Sequence, residues 1–360
     1  MISYIIRKLL YSILILWGVV TLIFMVFTFL PGDPAIMKLG QGSDSASLAI
    51  VRKDFGLDQS KGMRYLKALN DLSPVSFHET KDRDHYFYLD SSVYTSFVTL
   101  MHIGQHKSLV LKAPYLRRSY QSKKNVSEII GETMPNTLIL AFASIVFASL
   151  LGIVLGIFSA IYKESWYDRI TLFLSSFGMS LPSFFAAILF GWLFAYVLAD
   201  VTHLNLTGNL IIVDDFGDGY IYQWKNLILP AFTLGIRPLA VFIQLTRNSM
   251  LEVFAMDYIR TARAKGLSEF KVVTRHALKN ALNPVITAIS GWFASMMAGV
   301  VFVEYIFAWK GLGYVIVDAL TNYDLPLVMG CVLVISLVFI VVNLLVDILY
   351  GVLDPRVKVY

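Results

Sequence analysis

The sequence predicts an all-α polytopic membrane protein with six transmembrane helices and a large segment, a small α+β unit, between helices 1 and 2. Three observations carry this. Of 360 residues, 57% are hydrophobic and 15% charged, against about 45–50% apolar and about 25% charged in soluble domains. Apolar runs recur at the length, roughly 20 helical residues, that crosses a bilayer core of about 30 Å. Basic residues concentrate in alternate connections, as orientation in a membrane requires.

The first span, residues 1–32, lies in "MISYIIRKLLYSILILWGVVTLIFMVFTFLPGDP". Its uncharged run from Leu9 to Gly32 is 24 residues long, beyond the 7–15-residue core of a secretory signal, and no small-x-small cleavage site follows. A retained span is therefore expected rather than a cleaved signal. Five more follow within a core domain at 133–353. Residues 133–162, 170–199 and 280–303 are uncharged, 226–246 carry only Arg237, and 325–353 carry only Asp347.

Six spans put both termini on one side. With both in the cytoplasm, segments 1–10, 162–169, 247–282 and 352–360 hold thirteen Lys and Arg, while loops 199–225 and 304–326 hold two. Thirteen against two places the ends, including a tail at 354–360, in the cytoplasm. The net charge of +5 is then topological and gives no nucleic-acid signal. Cys331 is the single cysteine, so no intramolecular disulfide is possible.

Local punctuation marks the spans. Asn283-Pro284 reads as a cap and first-turn proline opening the fifth, and Pro135-Asn136 as the start of the second. Pro182, in "SLPSFF", should kink or break the third, because it removes a backbone donor and clashes one turn back. The segment 33–132 has polar flanks with helix and turn character. Its centre, about 72–112, is aromatic and β-branched and predicts two or three short strands. His102 and His106 would share a metal only on a helix; the extended local pattern favours solvated histidines, His78 and His85 included.

The longest predicted cytoplasmic loop, 247–282, is the informative one. Positive-inside charge alone explains its Lys and Arg but not their arrangement. From Leu251 to Lys265 there is no proline or glycine, and Gly266 then stands where a helix C′ position takes a left-handed backbone. Ser268 can cap a second helix, with Phe270, Val273, Ala277 and Ala281 along one face and Lys271, Arg275 and Lys279 along another. Two short helices joined at a glycine make a lever. A basic amphipathic anchor on anionic membrane lipid explains the charge but not the turn.

"YIRTARAKGLSEFKVVTRHALKNALNPVIT" resembles the cytoplasmic coupling motif of permease subunits in binding-protein-dependent ABC importers, in the peptide and nickel branch. Arg260 and Thr261 depart from the general motif in the manner of that branch, while Ala262 and Gly266 match it. "YIIRKLLYSILILWGVVTLIFMVFTFLPGDP", "VEYIFAWKGLGYVIVDALTNYDLPLVMG" and "NLLVDILYGVLDPRV" resemble its other segments, in order. The stretch 72–112 fits poorly and reads as an insertion.

The resemblance implies a type I ABC importer permease fold in a bacterial cytoplasmic (inner) membrane. It implies as partners a second homologous permease, two cytoplasmic ABC ATPases and an extracytoplasmic substrate-binding protein. Coupling to the ATPase falls on Tyr258, Arg260, Thr261, Ala262, Arg263, Ala264, Lys265, Gly266 and Leu267. No Gly-x4-Gly-Lys-Ser/Thr loop occurs, so the chain is expected to be a transport subunit and no enzyme. It would bind no cofactor or metal of its own, with ATP and Mg used by the partner ATPases.

The expected cargo is di- or oligopeptides, with nickel chelates or other small solutes as the alternative. An ion-coupled secondary transporter would need intramembrane carboxylates or histidines, and the predicted spans offer only Asp347 near one end. A channel lacks its filter loop. Arg237 falls mid-span, where a charge faces a pathway, a subunit interface or a partner within the bundle. Arg247 and Asp347, level at the inner ends of spans four and six, suggest a structural ion pair. "FAWKGLGYVIVDAL" is open between a gate folded into the outer mouth and a surface helix.

Overall fold

A computed structural model describes residues 2–29, 32–40, 44–94, 96–104, 106–213 and 219–353. The tail expected at 354–360 lies outside the described residues. The chain forms two compact units, one of Ile2–Glu132 with Val315–Ser336, the other of Thr133–Tyr314 with the chain from Leu337 onward.

In the first unit, α1 (Ile2–Phe29) is an uninterrupted apolar helix. Three short helices follow, each with a side chain accepting from an otherwise unsatisfied first-turn N–H. Asp33 caps α2 (Pro34–Leu39), Asp44 caps α3 (Ser45–Asp54), and Ser60 caps α4 (Lys61–Leu72). The α1 helix meets α4 through Thr21 Oγ1 and Tyr65 Oη, 2.6 Å apart, and through the rings of Phe24 and Tyr65.

The predicted strands form one antiparallel sheet in the order β1 (Val75–Glu79), β3 (Lys107–Lys112), β2 (Phe97–Ile103). Its polarity is inverted. Ser76, His78, Ser108 and Lys112 are buried, while Val75, Phe77, Val98 and Leu111 are exposed. A side-chain period of two fixes which residues share a face but not which face turns inward. His78, expected to be solvated, is 1% exposed, whereas His85, His102 and His106 are exposed. His102 lies in β2, not on a helix.

Four helices are long and apolar enough to cross a membrane alone, and two bent pairs, each taken as one span, bring the number to six. The four are α1, α5 (Val126–Ile161), α9 (Lys225–Phe254) and α15 (Leu325–Leu353). The first pair is α6 (Trp166–Ser180) with α7 (Ser183–Trp192), bent by 114° at the break before Pro182 and Ser183. The expected proline break is there.

Beyond it, a π-helical turn at Leu193–Val197 leads to α8 (Ala199–Thr202) and the hairpin β4 (Ile211–Val213) and β5 (Tyr220–Tyr222). The other pair lies within α13 (Asn283–Ile306). Two expected starts are corrected. Pro135 lies inside α5, whose polar first turns extend the helix back to Val126. Asn283 is already helical and makes no cap; Leu282 precedes the helix.

The second unit packs α9 against α6, α7 and α13. It is drawn tightly onto α5 by glycines. A Cβ on Gly152 would lie 2.7 Å from the Cβ of Phe242, and one on Gly156 would lie 2.6 Å from that of Thr246. This small-xxx-small pair lets two backbones approach as side chains would not. Leu140, Phe242, Val300, Phe307 and Trp309 fill the centre.

Candidate functional site

The segment after α9 folds as a packed unit. A short break at Ala255 and Met256 separates α9 from α10 (Asp257–Ala264), so the helix-prone stretch 251–265 is two helices. On α10, Ile259 and Ala262 are buried; Tyr258, Arg260, Thr261, Arg263 and Ala264 are exposed, as are Lys265 and Gly266. Leu267 is half-buried and packs on the same core.

The stop is the one the glycine predicts. Gly266 has φ +76°, its N–H donates to the Arg263 carbonyl at 2.9 Å, and the Leu267 N–H reaches the Ala262 carbonyl at 3.4 Å. These two bonds are the Schellman pattern, which satisfies helix-end carbonyls through a left-handed C′ residue.

The second helix begins after Ser268, whose side chain makes no capping bond, as α11 (Glu269–Lys271). It continues as a π-helical stretch, Val272–Ala277, into α12 (Leu278–Ala281). Val272, Val273, Ala277 and Ala281 face inward, joining Ile259 and Ala262, with Met250 and Val253 of α9 and Ala160 of α5. Phe270, expected on that face, is 76% exposed; the π stretch shifts the helical phase, and Val272 takes its place inside.

Lys271, Arg275 and Lys279 are exposed as expected. Arg263 donates to both carboxylate oxygens of Glu269, at 2.8 and 3.2 Å, across the glycine turn. Asn280 Nδ2 donates to Tyr258 Oη at 2.8 Å, tying α12 to α10. These bonds brace the two arms against each other.

Just above this core, Arg247 pairs with Asp168 rather than with the expected Asp347. Its Nε donates to Oδ1 and its Nη2 to Oδ2, both at 2.7 Å. Ser159 Oγ also donates to Oδ1, and the Glu164 N–H to Oδ2 at 2.9 Å. Sequence reasoning missed Asp168, although Ser165-x-x-Asp168 is a capping-box signature, and Ser165 does cap α6.

Glu304 was missed as well. Wholly buried at the end of α13, it accepts from Thr137 Oγ1 at 2.7 Å and from the N–H groups of Gly313 and Tyr314 at 2.7 and 3.2 Å. Gly311 has no room for a side chain, since its Cβ would lie 2.2 Å from Glu304 Oε1. "FAWKGLG" is thus a pinned turn carrying a buried Trp309 into α14 (Leu312–Thr321). The glycine pair in that motif was the available signal.

Arg237, in mid-α9 between Pro230 and Pro238, is exposed and makes no hydrogen bond or ion pair among the described residues. No group of three or more His, Cys, Asp or Glu could hold a metal among the described residues.

Residues 152–359 match the model of the binding-protein-dependent transport system inner membrane component, and residues 1–80 its N-terminal counterpart. The chain is 31% identical to the dipeptide transport system permease protein DppB of Alkalihalophilus pseudofirmus, over 99% of this chain and 100% of that one. It is 33% identical to a putative peptide transport system permease of Brucella abortus, and 32% identical to the glutathione transport system permease GsiC of Salmonella typhi; each match covers 99% of both chains. Among solved structures, an inward-facing MetNI methionine ABC transporter is similar in fold, at 13% identity and TM-score 0.50, over 63% of this chain and 97% of that one.

Proposed function

The chain belongs to the family of binding-protein-dependent transport system inner membrane components, and on that premise we propose that it forms half of the path of an ATP-driven importer of short peptides. Peptide cargo is favoured by relatives named for dipeptides, peptides and glutathione, similar along the full chain. Its partners in this reading are a second permease, two cytoplasmic ATPases that use ATP and Mg, and an external binding protein. Both termini and α10–α12 face the cytoplasm of a bacterial inner membrane, as the Lys and Arg distribution requires.

One observation carries the coupling role. The Schellman turn at Gly266 and the buried Ile259 and Ala262 hold α10 against the ends of α5 and α9. Tyr258, Arg260, Thr261 and Ala264 are left facing outward. Motion of an ATPase cleft gripping that surface passes through the shared apolar core to α9 and onward to α13. Ala262 serves the inner contact, so the small residues left for a close partner are Ala264 and Gly266. Exposed Phe270 and the Lys271, Arg275, Lys279 row would set the helix against an apolar and acidic rim.

Arg237 faces the partner permease or the path in this reading. The ion-coupled alternative gains nothing from Asp168 or Glu304, each committed to several structural bonds. The test is purification of the intact chain from its native membrane beside a variant with residues 258–268 replaced by a Gly/Ser linker. ATPase subunits should accompany the first and be lost from the second. Equal recovery with both would remove the coupling role.

A further inference from the structure

We propose that the segment between the first two spans holds a ligand site of its own, a cleft that takes the carboxylate end of a short peptide outside the membrane. The ligand class and the side rest on the importer reading above; the cleft itself does not.

The cleft measures about 420 Å³ and lies wholly within the first unit, inside the range of roughly 300–1,000 Å³ usual for small-molecule sites. Tyr86, Tyr88, Tyr94, Tyr115 and Tyr120 wall it with Phe55. The wall is ordered: Phe55 stacks on Tyr120 at 4.1 Å, and Gly56, at φ +68°, admits the Tyr86 hydroxyl where a Cβ would lie 2.9 Å from it. Five basic side chains and three acidic ones line the cavity, which leaves it positive.

Two of the acids are already engaged. Asp54 pairs with Lys123, and Asp90 accepts from the N–H and hydroxyl of Ser92. The third, Asp71, is surrounded. Arg117 Nε lies 2.8 Å from it and Lys67 Nζ 3.2 Å, and Tyr94 donates to it at 2.7 Å. Buried Lys112 comes in behind, donating to the Asp71 carbonyl at 2.6 Å. Two cations therefore share one carboxylate, with a third on the same residue's main-chain carbonyl.

Such crowding is costly without a further anion. Burial first, and then Arg117, lower the pKa of the Lys67 ammonium against the pull of Asp71, and burial brings Lys112 down to about 8. His78, the other titratable group facing them, is pushed to about 4 by burial, then by Lys67 and Lys112, so it adds no charge near neutrality. Arg117 also keeps a buried Nη2 without an acceptor and holds a left-handed backbone at φ +64°. Surplus positive charge and tyrosine faces together suit a carboxylate flanked by an apolar residue.

The test uses the full chain in lipid nanodiscs, titrated calorimetrically with alanyl-phenylalanine and with its C-terminal amide. The acid should bind saturably and the amide at least tenfold more weakly. Lys53→Gln, at the exposed rim, and Arg117→Gln should each weaken the acid fivefold or more; Lys53→Gln keeps the test valid if Arg117→Gln fails to fold. Equal binding of acid and amide, no saturable binding, or acid binding unchanged by Lys53→Gln would overturn the site. ATP-driven uptake by the assembled transporter is measured alongside. Uptake without acid-selective binding removes the cleft alone, and binding without uptake removes the importer reading alone.

Discussion

Arg247 and Asp168 meet at two points, Nε to Oδ1 and Nη2 to Oδ2, each at 2.7 Å, with the carboxylate nearly excluded from solvent. The pair joins α9 to the first turn of α6, close to the core on which α10 rests. Breaking one partner of a buried pair costs about 3–5 kcal/mol. Asp168→Ala and Arg247→Ala should each lower the thermal midpoint of the purified chain by several degrees. The double variant should fall far short of their sum. Additive losses would mean the two side chains act independently.

Gly266 tests the turn. A Cβ there meets nothing within 4 Å, so substitution acts through the backbone alone, at about 1–2 kcal/mol for a left-handed non-glycine residue. Gly266→Ala should reduce ATP-driven uptake modestly, Gly266→Asn less, because asparagine tolerates that conformation. Gly266→Pro should abolish uptake while the chain still inserts in the membrane. Full uptake by the proline variant would show that the two arms need not be braced.

Glu304 secures the turn before α14 through three accepted bonds. Glu304→Ala leaves the Gly313 and Tyr314 N–H groups without that acceptor, at about 1–3 kcal/mol per unsatisfied group. Thr137→Val removes two bonds, the one Thr137 donates to Glu304 and the one it accepts from the Leu312 N–H at 2.8 Å, but strands a single N–H and should cost less. Detergent melting curves should rank the two variants in that order, and the reverse order would mean that Thr137, not Glu304, organises the turn.

What was legible in the sequence was what neighbouring residues decide. Pro182 broke its span and Gly266 stopped its helix because each acts on its own backbone. The strands near 75–112 followed from their aromatic and β-branched content. Facing was not legible. Arg247 and Asp347 read as level from the span lengths, but rotation about a helix axis comes from packing, and that packing turned Arg247 toward Asp168. Phe270 is displaced by a π-helical phase shift no local pattern announces. The buried polar face of β1 and β3 reverses the usual rule, because Asp71, Lys67 and Arg117 beneath it supply polar company.

His78 sits on that buried face, with Nε2 3.0 Å from Ser76 Oγ and its ring 4.8 Å from Tyr94. Burial first, then Lys67 and Lys112, depress it to about 4 from an ordinary value of 6.5. Between those values the unfolded chain binds a proton that the folded chain refuses, so its stability rises with pH. The contribution is full above about 6.5, drains away as pH falls toward 4, and levels off below. The thermal midpoint of the wild type should therefore drop more steeply over pH 6.5 to 4 than that of His78→Gln. Carboxylates such as Asp71, held low by Arg117 and Lys67 against burial, lose their contribution only at more acid pH, and they do so in both proteins. Parallel curves across that window would mean that His78 takes up its proton in place.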